Sequence, residues 1–220
     1  MKLIDAFIPL FAASERYRQQ PQLLSNRDYG QVRTEFERML VESGQRAREY
    51  GYGDEEYDYA RFAVIAYLDE LMLSQQWQGR QQWLKEMLQK VHFGSASGGT
   101  EFYQRLETLN PVNPGEKDVR EVFFYALCFG FCGKYYRDRD KVTRQQIIQS
   151  NYDILAPAGR LEGDPLFPVA FADKVSGSQI KRTLDFTTLV LGIPLLLIIA
   201  LFFAARSEMV ELAQKMVLIF

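Results

Sequence analysis

An all-α domain followed by one membrane-spanning helix is the fold class that this 220-residue chain predicts. Three observations carry it. Apolar residues recur at helical spacing through the first 155 positions, as in Val32, Phe36, Met39, Leu40 and Ala47, with charged and amide side chains between them. No stretch alternates apolar and polar residues with the period of a strand. Near the C-terminus, residues 186–205 (FTTLVLGIPLLLIIALFFAA) carry no charge, and thirteen of the twenty are Leu, Ile, Val or Phe. At a rise of ~1.5 Å per residue the run spans about 30 Å, the hydrocarbon thickness of a bilayer. Its apolar residues favour insertion by roughly 4–8 kcal/mol, before the smaller penalties of Gly192, Pro194 and the two threonines.

The elements follow in order. A first amphipathic helix is predicted over about Leu3–Gln19; Asp5 interrupts its apolar run and Arg16 and Arg18 follow, so it reads as a helix and not as a signal peptide. Pro21 breaks it, and Ser25 and Asn26 offer a cap for a second helix over about Asp28–Tyr50, which Gly51 and Gly53 end. The third, about Glu55–Ser74, is apolar on every face around residues 62–68 and belongs at the centre. A fourth, about Gln81–Val91, carries Trp83, Leu84, Met87, Leu88 and Val91 at helical spacing. After the loop at 94–99 comes a helix at about Thr100–Leu109, then the breaker Asn110-Pro-Val-Asn-Pro-Gly115. Two more helices are expected at about Lys117–Phe131 and Arg139–Ile154.

These elements divide the chain into a helical domain (1–155), a connector containing Pro157, Pro165 and Pro168 (156–182), a membrane helix (183–205) and a short tail (206–220). Lys174, Lys181 and Arg182 precede the span, against Arg206 and Lys215 after it, which favours a cytoplasmic helical domain. Within the span, Thr188, Gly192, Ala200 and Ala204 fall on one ridge at multiples of four, interrupted only by Leu196, a spacing that lets two helices approach and self-associate.

Composition narrows the function. The 26 basic and 28 acidic residues are balanced, unlike the basic excess of a nucleic-acid protein. Twelve Tyr and sixteen Phe are more than a small central core needs, so some should line interfaces. Cys128 and Cys132 lie in an apolar stretch with no second Cys/His pair to complete a metal site, and read as buried thiols in a reducing compartment. His92 is the single histidine and reads as a satisfied structural or surface residue. The loop at 94–99 follows a helix and lacks the Gly-Lys-Ser/Thr of a phosphate-binding loop. No Gly-x-Ser-x-Gly, HExxH or CxxC is present, so no catalytic set, cofactor or metal is expected.

The adjacent carboxylates Asp69 and Glu70 sit within the apolar third helix. Successive helical residues point about 100° apart, so they do not face a common substrate atom. Asp69 shares a stripe with Phe62, Ile65, Met72 and Leu73, where an unpaired charge costs several kcal/mol. Two readings stand: an ion pair holding two helices, or an acidic spot in a protein-binding cleft. A hydrolase using Asp69 and Glu70, and a generic tail-anchored adaptor, are the alternatives.

Three segments taken together resemble one family. They are Ala66-Tyr-Leu-Asp-Glu-Leu71 followed by Trp77, then Gly98-Gly-Thr-Glu-Phe-Tyr103, and Leu127-Cys-Phe-Gly-Phe-Cys-Gly-Lys-Tyr135. On these the chain is similar to the DotU/TssL family, an inner-membrane component of bacterial type VI secretion, over roughly residues 5–205. It departs from the family at Cys132, where an acidic residue is usual, and at Gln78, where Gly is usual. The resemblance implies two small helical bundles forming a hook with a cleft, and a C-terminal span with a periplasmic end. It implies assembly with a TssM-like inner-membrane protein and a TssJ-like lipoprotein, docking of baseplate proteins such as TssK, and a homodimer through the span. Asp69, Glu70, Trp77, Gly130, Gly133 and Lys134 are then expected to bind a partner or to support the cleft. Some relatives continue into a peptidoglycan-binding domain; this chain stops at Phe220, so wall anchoring is expected from another subunit.

Overall fold

The structure, a computed structural model, describes residues 1–156. Nearly all of the connector, the membrane helix, the tail and the ridge residues Thr188, Gly192, Ala200 and Ala204 lie outside the described residues. Among the described residues every regular element is a helix, and none is long and apolar enough to cross a membrane.

Nine α-helices follow one another among the described residues: α1 (Leu3–Gln19), α2 (Gln22–Ser25), α3 (Tyr29–Glu49), α4 (Asp54–Ser74), α5 (Arg80–Lys85), α6 (Leu88–Phe93), α7 (Gly98–Thr108), α8 (Pro114–Cys128) and α9 (Lys141–Leu155), with 3₁₀ turns at Gly133–Tyr135 and Asp138–Asp140. Local chemistry sets their ends. Asp28 and Gln31 cap α3 reciprocally, the Asp28 Oδ1 accepting the Gln31 N–H at 2.8 Å and the Gln31 Oε1 accepting the Asp28 N–H at 3.2 Å. Asn113 caps α8 through the Gly115 N–H, with Pro114 in the first turn where a missing N–H costs nothing. At the other end of α8, Gly130 takes φ +98° while its N–H donates to Leu127 and that of Phe131 donates to Ala126. This left-handed stop ends the helix three residues earlier than periodicity predicts.

Helix α4 is the axis of the domain. Residues 62–69 are all buried, and the helix packs against α1, α3, α5, α6, α7 and α8. An apolar stripe on one face would satisfy only some of these neighbours; an apolar surface all round satisfies them together. Aromatic rings fill the gaps between helices: Phe11 stacks on Phe129 at 5.0 Å, and Phe102 meets Phe131 at 4.2 Å and Phe123 at 4.7 Å. Buried tyrosines satisfy their hydroxyls, Tyr57 on the Leu40 carbonyl at 2.7 Å and Tyr67 with Ser14 at 3.0 Å. Much of the aromatic content is therefore core.

Helix α9 attaches differently. Its only fully buried residue is Asn151, whose Oδ1 accepts from the buried Arg120 guanidinium of α8 at 2.7 Å; Arg120 also donates to the Leu109 carbonyl. Burial holds the Arg120 pKa below its ordinary value.

Candidate functional site

Asp69 and Glu70 point from α4 to two different loops. The Asp69 carboxylate is fully buried and accepts three N–H groups: the Trp83 indole at 2.8 Å, the Leu88 backbone at 2.9 Å and the Gln89 backbone at 2.8 Å. Leu88 and Gln89 open α6, so Asp69 supplies from another helix the acceptor that a local cap normally provides. The single fourth helix expected over 81–91 is accordingly two, α5 and α6, broken at Glu86 and Met87. The ion-pair reading of Asp69 is not what the geometry shows. Among the described residues no cation pairs with it, because its lone pairs are turned to neutral donors. Burial pushes its pKa up, and the three N–H donors pull against that shift.

About 100° further round the helix, the half-buried Glu70 holds the loop after α8. Its two oxygens accept the Cys132 and Gly133 N–H groups, each at 2.7 Å. Burial raises its pKa, while these two bonds and the Arg144 charge lower it. The same loop is held from α7 by the Tyr103 hydroxyl, which donates to the Cys132 carbonyl at 2.9 Å, and from α9 by Arg144, which donates to the Tyr135 carbonyl. Gly133 lies with φ +50° against Gly99, where an added Cβ would sit 2.5 Å from the Gly99 carbonyl oxygen. Lys134 is exposed, its Nζ 5.3 Å from the Tyr103 ring and 5.0 Å from the Tyr135 ring.

The other expected site residues sort by burial. Trp77 is a packing residue, its indole donating to the Met72 carbonyl at 3.1 Å and its ring meeting that of Trp83 edge-on with the centroids 6.1 Å apart. Gly130 shapes the stop of α8, and Gly133 and Lys134 belong to the Glu70 loop. Asp69 and Glu70 thus share no substrate position: one is sealed from solvent, and both spend their oxygens on main-chain and indole N–H groups. The Cys128 thiol is pushed up to about 12 by burial and that of Cys132 is also raised, so neither is a thiolate at neutral pH. His92 is bonded to Glu37 at 2.9 Å.

Sequence reading missed the partners: Trp83, Gly99, Tyr103 and Arg144. Gly99 and Tyr103 lie inside the Gly98–Tyr103 segment, but nothing in its spacing told which loop they face. A separate open groove of about 1030 Å³ runs along α2 and α3, past Leu23, Arg27, Thr34 and Arg38. There Arg27 is tied to Glu35 and to the Tyr17 hydroxyl.

The three segments that define this clamp, at 66–77, 98–103 and 127–135, fall within the region that a family model matches. That model, "Type VI secretion system protein DotU", covers residues 2–207. The chain belongs to the DotU family. DotU proteins are inner-membrane-associated structural components of the type VI secretion membrane complex. The fold is similar to the solved "Cytoplasmic domain of TssL from Acinetobacter baumannii", at 26% identity and TM-score 0.64, over 70% of this chain and 97% of that one. It is also similar in fold to SciP/TssL from enteroaggregative Escherichia coli 042, at 20% identity and TM-score 0.55, over 68% of this chain and 84% of that one. A search among curated proteins returns no match. The all-helical class read from the sequence is that of these DotU/TssL domains.

Proposed function

We propose that this DotU protein is a non-enzymatic scaffold, fixed in the bacterial inner membrane by residues 183–205, with its helical domain in the cytoplasm and its C-terminus in the periplasm. The domain docks baseplate proteins such as TssK and assembles with a TssM-like inner-membrane protein and a TssJ-like lipoprotein. The observation that carries the reading is the reach of the family match, which runs through residue 207 and so takes in both the helical domain and the uncharged run at 186–205. The clamps at Asp69 and Glu70 support it physically. They stiffen two segments at the cost of one buried and one half-buried carboxylate, which suits a surface that must keep its shape for a partner.

Removing residues 183–220 tests the reading. The truncated chain is expected to stay folded by circular dichroism, to leave the membrane fraction, and to reduce secretion of type VI effectors to background. Normal secretion by the truncated chain sinks the scaffold reading. Recovery of the helical domain from cells without any TssM-like or baseplate protein favours the adaptor alternative. Self-association through Thr188, Gly192, Ala200 and Ala204 has its own test. Gly192→Leu should weaken crosslinking in membranes by severalfold, since a bulky side chain on the ridge prevents close approach. Unchanged crosslinking rejects the ridge.

A further inference from the structure

Immediately after the Glu70-held loop, the balance of charge along the chain changes sign. Residues 1–133 hold fifteen basic against nineteen acidic residues, whereas residues 134–144 (KYYRDRDKVTR) hold five basic against two acidic. The basic tips are open to solvent: the Arg139 side chain is 73% exposed and that of Lys141 64%. Arg137 is also exposed, its guanidinium lying 5.6 Å from the ring of Tyr136. Both acidic residues of the segment face basic ones, Asp138 with Lys141 at 2.9 Å and Asp140 with Arg139 at 3.8 Å. Between the charges stand two large apolar side chains that the fold leaves uncovered, Tyr136 at 67% and Val142 at 62% exposure. Burying these tips in the domain would have cost the arginines their hydration, so they remain outside.

We propose that this face, built on Arg137, Arg139, Lys141, Tyr136 and Val142, lies on the anionic headgroup surface of the bilayer. The inference rests on the membrane-anchored reading above. Basic side chains near a surface of anionic lipid each favour binding by about fivefold, and an amphipathic ring such as that of tyrosine settles at the headgroup level. The segment's net excess of three charges, two of them from Lys134 and Arg144 outside this face, is too little to hold a free domain on a membrane. It is enough for a domain already tied to that membrane, because the tether turns the contact into an intramolecular step at millimolar effective concentration. An acidic protein would also satisfy the charge. The lipid surface is favoured because the chain's own uncharged run brings it near, and because aromatic, aliphatic and basic tips together suit an interface between hydrocarbon and water.

The test uses the full chain reconstituted in vesicles of phosphatidylcholine alone or of phosphatidylcholine with phosphatidylglycerol. The rate of amine acylation at Lys141 is followed by mass spectrometry and referred to Lys85, an exposed lysine on α5. The expected result is a drop of about fivefold or more in the Lys141 rate in the anionic vesicles only, reversed by high salt and by Arg137→Glu with Arg139→Glu. Equal rates in the two lipids overturn the proposal, and protection appearing only when an acidic protein is added assigns the face to that partner instead. Resistance of the chain to carbonate extraction is scored in parallel. A failed anchor is thereby told apart from a failed surface contact.

Discussion

Asp69→Ala is expected to lower the unfolding free energy of the helical domain by about 3–5 kcal/mol, or roughly 10 °C in Tm for a domain of this size. The carboxylate is fully buried and answers the Trp83 indole and the Leu88 and Gln89 amides at 2.8, 2.9 and 2.8 Å. Alanine leaves all three donors without an acceptor, at about 1–3 kcal/mol each, offset in part by relief from burying a charge. Asp69→Asn keeps the shape but turns an NH₂ toward an N–H donor, and should cost about half as much. Urea denaturation measures both. An asparagine variant as stable as the parent would show that the carboxylate does not serve all three groups. There is also a signature in pH. Burial raises the folded-state pKa of Asp69 above its unfolded value, so the folded protein holds this proton more tightly. Its contribution is then fully present below the unfolded pKa and lost as pH rises through the folded one, and Asp69→Asn should remove that slope.

Gly133→Ala should cost about 2–4 kcal/mol, by a mechanism that Gly130→Ala isolates. Both glycines have positive φ, +50° and +98°, where any other residue pays about 1 kcal/mol. At Gly130 the nearest atom to an added Cβ is the Arg18 guanidinium at 3.9 Å, so only the conformational cost applies. At Gly133 the new carbon would sit 2.5 Å from the Gly99 carbonyl oxygen, which belongs to the first turn of α7 and cannot swing aside. The loop must move, and the two Glu70 bonds to Cys132 and Gly133 move with it. Equal losses at the two positions, measured by denaturation, would refute the close approach as the cause. If the Glu70 loop serves the proposed docking, Gly133→Ala should also weaken binding of the helical domain to the baseplate protein proposed as its partner more than Gly130→Ala does.

The helices were legible because helical periodicity is a local property. Leu3–Gln19 is found as read, and the helices beginning at Tyr29 and Asp54 start within one residue of expectation. The departures come where a distant group decides. The 81–91 segment reads as one helix by spacing, and becomes two because a carboxylate from α4 accepts the amides of Leu88 and Gln89. Periodicity carried the helix read from Lys117 through to Phe131, but the turn at Gly130 stops α8 at Cys128. For the site, the Asp-Glu pair, Trp77 and the Gly-Phe-Cys-Gly-Lys block were visible as residue types. Their tasks were not, since hydrogen bonds spanning 62 or 63 positions leave no trace in spacing.

By itself the sequence determined the helical class, the order of the helices, the uncharged run at 186–205 and the kinship with DotU proteins. Each of these rests on pattern along the chain: side-chain period, absence of charge over about 30 Å of helix, or a run of matching residues. Only the tertiary structure decided that Asp69 caps a helix from which it is 19 residues distant, that Glu70 clamps the loop at Cys132 and Gly133, and that the basic tips from Arg137 to Lys141 stand open. A carboxylate carries the same charge in an ion pair, in a catalytic site or beneath a helix end. What fixes its role is which donors the packed helices bring to within 3 Å of it, and packing is a property of the whole domain.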